Sequence, residues 1–147
     1  MQIKVLVFEI FLAGTETSVS SIYWALLFMA KYPEVQKRVQ AEIDNVIGDR
    51  APINSDRAKL KYVEAVMCES YRVSSFVRLA TLRNLKTTTL RGYTIPANSM
   101  VLPNLYAIHC NPKIWIDPDH FHVENFLDEK ANSLKNTEHL LQFGIGI

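Results

Sequence analysis

Only two of the 147 residues are cysteine, Cys68 and Cys110, and neither belongs to a C-x-x-C pair. That excludes a disulfide framework and fits a reducing compartment. An excess of one charge is also lacking, since 16 Lys and Arg face 15 Asp and Glu for a formal net charge of +1. No strong long-range field draws such a chain to nucleic acid or to an acidic membrane surface. Uninterrupted apolar runs are short. The longest, residues 5–8, 10–13 and 22–30, fall well below the roughly 20 residues of a bilayer span, so no transmembrane helix is expected. Lys4 before the first run gives a faint likeness to a signal peptide, which Glu9 and Glu16 cut short. The signatures G-x-S-x-G, H-E-x-x-H and the P-loop are missing as well.

What is present is a hydrophobic share of 48%, enough for the core of about one domain. Composition changes once, near Ser74, from helix-forming segments to short ones broken by Gly, Pro and Asn. Apolar residues occupy nearly every face of residues 2–31, which predicts one long helix buried on most sides. Pro33 suits a first helical position, and Val35, Val39, Ile43, Val46 and Ile47 recur at helical spacing until Gly48, predicting an amphipathic helix over 33–48. A loop with Pro52, Asn54 and Ser55 follows. Leu60, Val63, Met67 and Tyr71 then mark a third helix over 60–74. Beyond it lies a small β region over 76–103, with a hairpin of residues 87–90 and 93–95 about Arg91-Gly92 and a strand at 101–103. Residues 104–110 suit a short helix capped by Asn104, and an irregular aromatic segment runs to the end. The fold class is therefore mainly α with a small β component, α+β.

Three constellations bear on chemistry. The first is Ala13-Gly14-Thr15-Glu16-Thr17-Ser18, where Gly and Thr residues sit in a helix interior that Gly destabilises by about 1 kcal/mol relative to Ala. The Thr17 hydroxyl is placed to bond the Ala13 carbonyl while Gly14 leaves a gap beside it. This is either a groove for a small ligand with Glu16 and Thr17 relaying protons, or a plain packing notch. The second is Glu69 and Arg72, spaced i, i+3, which make either a solvated surface pair or a buried one that neither partner can leave. The third is His120-x-His122, which on a strand would aim both rings to one side. No carboxylate or Cys joins them at familiar zinc spacing, so surface or packing histidines are expected and no metal site. Gly144-x-Gly146 lacks the strand-turn-helix context of a dinucleotide site.

In chain order, Ala13-Gly14-Thr15-Glu16-Thr17-Ser18, Glu69-Ser70-Tyr71-Arg72, Phe121-His122-Val123-Glu124-Asn125-Phe126 and Phe143-Gly144-Ile145-Gly146 together resemble the cytochrome P-450 haem-thiolate monooxygenases. Connecting stretches such as Lys31-Tyr32-Pro33-Glu34-Val35-Gln36 and Arg91-Gly92-Tyr93-Thr94-Ile95-Pro96 are similar to the animal microsomal branch. The resemblance implies that residues 1–147 are part of one such domain, from the long oxygen-activating helix to just before the haem loop. Ala13 and Gly14 would open an oxygen groove, and Glu16 and Thr17 would relay protons. Glu69 and Arg72 would form a structural ion pair on which the segment holding Glu124 and Phe126 packs. Val5 and residues 8–12 would help line a substrate pocket or pack in the core.

The same resemblance implies haem as cofactor, O2 and a lipophilic small molecule as substrates, and NADPH electrons delivered through a reductase. It also implies an endoplasmic reticulum location, cytosolic face, through an N-terminal anchor absent from this sequence. Departures stand beside it. Phe143 and Gly146 match the haem-loop pattern, but the proximal Cys lies beyond Ile147, and neither Cys68 nor Cys110 aligns with it. Val123 and Asn125 replace a Pro and an Arg, leaving Asn125 a hydrogen-bonding group without charge. Thr81-Leu82-Arg83 stands where a propionate partner is usual, so Arg83, or Arg78, would substitute. The chain alone is then expected to be inactive. The alternative is a non-enzymatic helical binding module or a degenerate gene product.

Overall fold

A computed structural model describes residues 2–142. Four helices, α1 (Gln2–Lys31), α2 (Pro33–Val46), α3 (Lys61–Ser74) and α4 (Leu105–His109), carry three two-stranded antiparallel sheets between and after them. Pro33 opens α2, where its missing N–H costs nothing, and Gly48 beyond the helix end takes φ +62°. A 3-10 turn, Asn54–Lys59, occupies what the sequence presents as a loop. Asp56 organises it by accepting from the Ile53 N–H at 2.9 Å. The N-terminus of α3 is capped from a distance, because Glu42 of α2 accepts from the backbone N–H groups of Tyr62 and Val63 at 3.0 and 2.8 Å. A carboxylate there satisfies two orphan donors and complements the helix dipole.

The strands are short. β1 (Leu82–Arg83) pairs with β4 (Met100–Val101), and β2 (Thr88–Leu90) with β3 (Tyr93–Ile95) in the register Thr88↔Ile95 and Leu90↔Tyr93. Arg91 and Gly92, both at positive φ, close that hairpin as a two-residue turn of matching twist requires. The third sheet, β5 (Leu127–Asp128) with β6 (Ser133–Leu134), has no strong sequence signal, being two residues a side. Asn104 caps α4 by accepting from the Ala107 N–H at 3.1 Å.

The core sits between α3, the C-terminal end of α1 and residues 115–127. It contains Phe28, Tyr62, Ala65, Val66, Trp115, Phe121, Val123, Phe126 and Leu127. Phe121 stacks on Phe28 and Tyr32, with ring centroids 4.7 and 5.1 Å apart.

Two expectations about α1 are corrected. It is not buried on most sides: Phe28 is its one buried residue, and Ile3, Phe8, Phe11 and Ile22 are exposed. An apolar helix is buried only where neighbours reach it, and within these residues α2, α3 and Phe121 reach its last turns. Nor does its composition fall short of a span, since α1 is long and apolar enough to cross a membrane, with mean hydropathy 1.4 over an 18-residue window. Counting uninterrupted runs misses this because the polar cluster breaks the run without making the helix hydrophilic. A helix from a protein core meets the same criterion.

Candidate functional site

Glu69 and Arg72 lie on the buried face of α3, and neither side chain has any solvent exposure. Arg72 Nε donates to Glu69 Oε2 at 2.8 Å and Nη2 to Oε1 at 2.7 Å, a bidentate pair. The guanidinium also donates to three carbonyls, from Nη1 to His109 and Pro118 at 2.8 and 2.7 Å and from Nη2 to His120 at 2.9 Å. All five N–H donors of the group are thereby used. Glu69 Oε1 accepts in addition from the His122 N–H at 2.8 Å and from Asn125 Nδ2 at 3.1 Å. Asn125 Oδ1 takes the Ile116 N–H at 2.8 Å. The centre thus joins one turn of helix to α4 and to the whole stretch 116–125. Phe126 is fully buried beside it, whereas Glu124 is exposed and not part of it.

On α1, a row of hydroxyls bonds back to the helix. Thr15 donates to the Phe11 carbonyl and Thr17 to that of Ala13, each at 2.7 Å, while Ser18 donates to Gly14 at 2.6 Å and Ser21 to Thr17 at 2.8 Å. The helix nevertheless runs unbroken through Gly14. A Cβ placed on Gly14 would meet nothing within 4 Å, so the notch beside it is open. A cavity of about 1330 Å³ lies between α1 and α3, lined by Thr17, Ser18 and Ile22 on one side and by Met67, Cys68 and Tyr71 on the other. Thr17 is half-buried in it, while Ala13, Gly14 and Glu16 are exposed and outside its lining. The structure therefore brings Thr17, but not Glu16, to the cavity.

The remaining candidates are scattered. Arg83 is exposed on β1, and Arg78 stacks over Tyr106 at 4.9 Å. Phe143 and Gly146 lie outside the described residues. His120 and His122 are joined by a carboxylate after all: Asp117 lies 2.9 Å from His120 Nδ1 and 3.4 Å from His122 Nε2. These are solvent-facing side-chain contacts, and among the described residues no group of three His, Cys, Asp or Glu is arranged to hold a metal. His109 and Asn125 are the buried polar residues that motif reading underrates. Each lies beside aromatic and apolar neighbours in sequence, a weak signal for burial.

A fully buried Glu-x-x-Arg pair thus binds the irregular stretch 116–125, next to a long helix with back-bonded hydroxyls. The chain belongs to the cytochrome P450 family, whose model matches residues 1–147. It is similar to cytochrome P450 2U1 of Rattus norvegicus, 46% identical over 140 residues that make up 94% of this chain and 26% of that protein. The Homo sapiens cytochrome P450 2U1 is 41% identical with the same coverage, and Mus musculus cytochrome P450 2J5 is 41% identical over 28% of its length. The chain thus spans about a quarter of these curated relatives.

Membership implies a haem iron. A thiolate ligand needs an accessible, acidified thiol. Cys68 is the reverse, since burial pushes its thiol up to about 11. Cys110 follows α4 and is half-buried. Cys68, although it lines the cavity beside Thr17, therefore does not fit as the iron's ligand.

Proposed function

We propose that this chain is the oxygen-activation and Glu-x-x-Arg portion of a haem monooxygenase that inserts one atom of O2 into a lipophilic small molecule. Electrons would come from NADPH through a reductase, at the cytosolic face of the endoplasmic reticulum. The observation that supports this best is the Glu69–Arg72 centre, since a buried pair with every donor placed is costly to build and useful only where it holds distant segments in register. Bound haem supplies the redox chemistry that activates O2.

In this reading Thr17, which lines the cavity, handles protons inside it. Its hydroxyl donates to Ala13 at rest, and rotation about χ1 would release that O–H toward the cavity. Glu16, exposed at the preceding position of α1, would resupply the hydroxyl through water. Gly14, with open space where a Cβ would stand, would leave room for a diatomic molecule beside α1. Glu69 and Arg72 take no part in proton transfer in this reading; they hold α4 and residues 116–125 in place.

The test is Thr17→Ala beside Thr17→Ser in the intact protein, with haem content measured in both. Thr17→Ala should lower product formed per NADPH consumed by about tenfold or more, with Thr17→Ser close to wild type. Equal yields in all three proteins would remove Thr17 from the relay. For the 147-residue chain by itself, a ferrous-carbonyl absorption typical of thiolate-bound haem would overturn the claim that it lacks the iron's ligand.

A further inference from the structure

His109 closes α4 with its ring 1% exposed, and its two nitrogens meet two different segments. Nδ1 lies 2.7 Å from Ser75 Oγ, and Nε2 lies 3.1 Å from the backbone N of Leu141. The protonation state follows from the partners. Leu141 N–H can only donate, so Nε2 must be bare. The Ser75 hydroxyl is 2.7 Å from the Arg72 carbonyl, which can only accept, so Ser75 spends its proton there and accepts from Nδ1–H. The ring is therefore the neutral Nδ1–H tautomer. Ser75 itself is held at φ 34° as the C-cap of α3, a left-handed position that these two bonds help to offset.

We propose that His109 is a positioning residue that ties the chain at Leu141 to the C-cap of α3 only while its ring is neutral, so that protonation releases Leu141. A second ring proton would set Nε2–H against the Leu141 N–H, two donors where one bond now stands. The charges around the ring favour the neutral state. From α3 it faces Arg72, whose partner Glu69 is engaged by that same guanidinium. From residues 118–120 the neighbouring groups are the carbonyls that bind Arg72. From residues 137–141 it meets the Leu141 amide, while the exposed Glu138 side chain lies 3.7 Å from half-buried His139, which packs against Trp115. Burial and Arg72 together hold the imidazole below its ordinary range. The tether stands on these bonds alone and does not depend on the haem reading.

The experiment is hydrogen exchange of the Leu141 amide in the intact protein from pH 7.5 to 4, corrected for the intrinsic pH dependence of exchange, in wild type and His109→Gln. Gln keeps an acceptor but does not titrate. Wild type should lose about tenfold protection at the acid end, the worth of one hydrogen bond, while His109→Gln stays flat. A flat wild type, or the same fall in the variant, overturns the proposal. Should the variant not fold, the ring nitrogens of wild-type His109 decide by NMR at pH 7.5: a proton on Nδ1 supports the tether and one on Nε2 overturns it. Absence of haem from the same preparation would count against the proposed function and leave this result readable.

Discussion

Asn125 Nδ2 donates to Glu69 Oε1 at 3.1 Å, so a neutral amide fills the third place around a buried carboxylate. The cluster therefore holds one anion and one cation and is neutral overall, without the second arginine that its family's pattern places there.

Breaking this centre should be severe. Glu69→Ala or Arg72→Ala leaves an uncompensated buried charge, and each is expected to cost about 3–5 kcal/mol. Arg72→Lys should do little better, because an ammonium cannot reproduce the bidentate pair and the bonds to His109, Pro118 and His120 together. Denaturant midpoints of the three variants in the intact protein check this. A midpoint for Arg72→Lys near wild type would show that charge alone suffices.

At Asn125, charge matters more than size. Asn125→Asp sets a second carboxylate against Glu69, whereas Asn125→Ala strands the Ile116 N–H and removes one of the donors to Glu69, which keeps its bonds from Arg72 and His122, a cost of about 1–3 kcal/mol. The Asp variant should be the less stable at pH 7, with the difference closing toward pH 4 as one carboxyl takes up a proton. Unfolding midpoints measured over that range decide it, and an Asp variant as stable as wild type at pH 7 would refute it.

Asp56 gives an acid limit. The side-chain bonds from Arg50 at 2.6 and 2.8 Å, and then the Ile53 N–H, lower its carboxyl from 3.8 to about 2. The folded state binds this proton less readily than the unfolded chain, so the contribution is complete above about pH 4 and fades as pH falls toward 2. Asp56→Asn should flatten the part of the stability profile between those values. An unchanged profile would mean that other carboxylates set the acid limit.

Gly14 offers the opposite kind of change. With nothing within 4 Å of an added Cβ, Gly14→Ala should stabilise α1 by up to about 1 kcal/mol. If the notch admits oxygen, turnover of the intact protein should fall while its melting temperature rises. A stabilised variant with full turnover would leave Gly14 as a packing notch.

The helices are local, and so they are legible in the amino-acid order. Period 3.6 in Val35 to Ile47 and in Leu60 to Tyr71, with Pro33 and Gly48 at the ends of α2, is enough to place α2 and α3 within a residue or two. The Thr17 bond to Ala13 could be anticipated for the same reason, since a side chain one turn away has a single carbonyl to reach. The strands β5 and β6 could not, because two residues carry no period. Burial is decided elsewhere. Glu69-x-x-Arg72 reads the same on a solvated face as on a buried one, and only the arrival of carbonyls from 109, 118 and 120 makes it a centre. His109 is one histidine among four until Ser75 and Leu141 meet it from 34 and 32 residues away and choose its tautomer. The apolar faces of α1 show the reverse case, where hydrophobic content alone does not bury a helix that few neighbours reach. Hydrogen-bond partners and solvent exclusion are properties of non-local packing, so the residue types were set by the sequence and their chemical states by the tertiary structure.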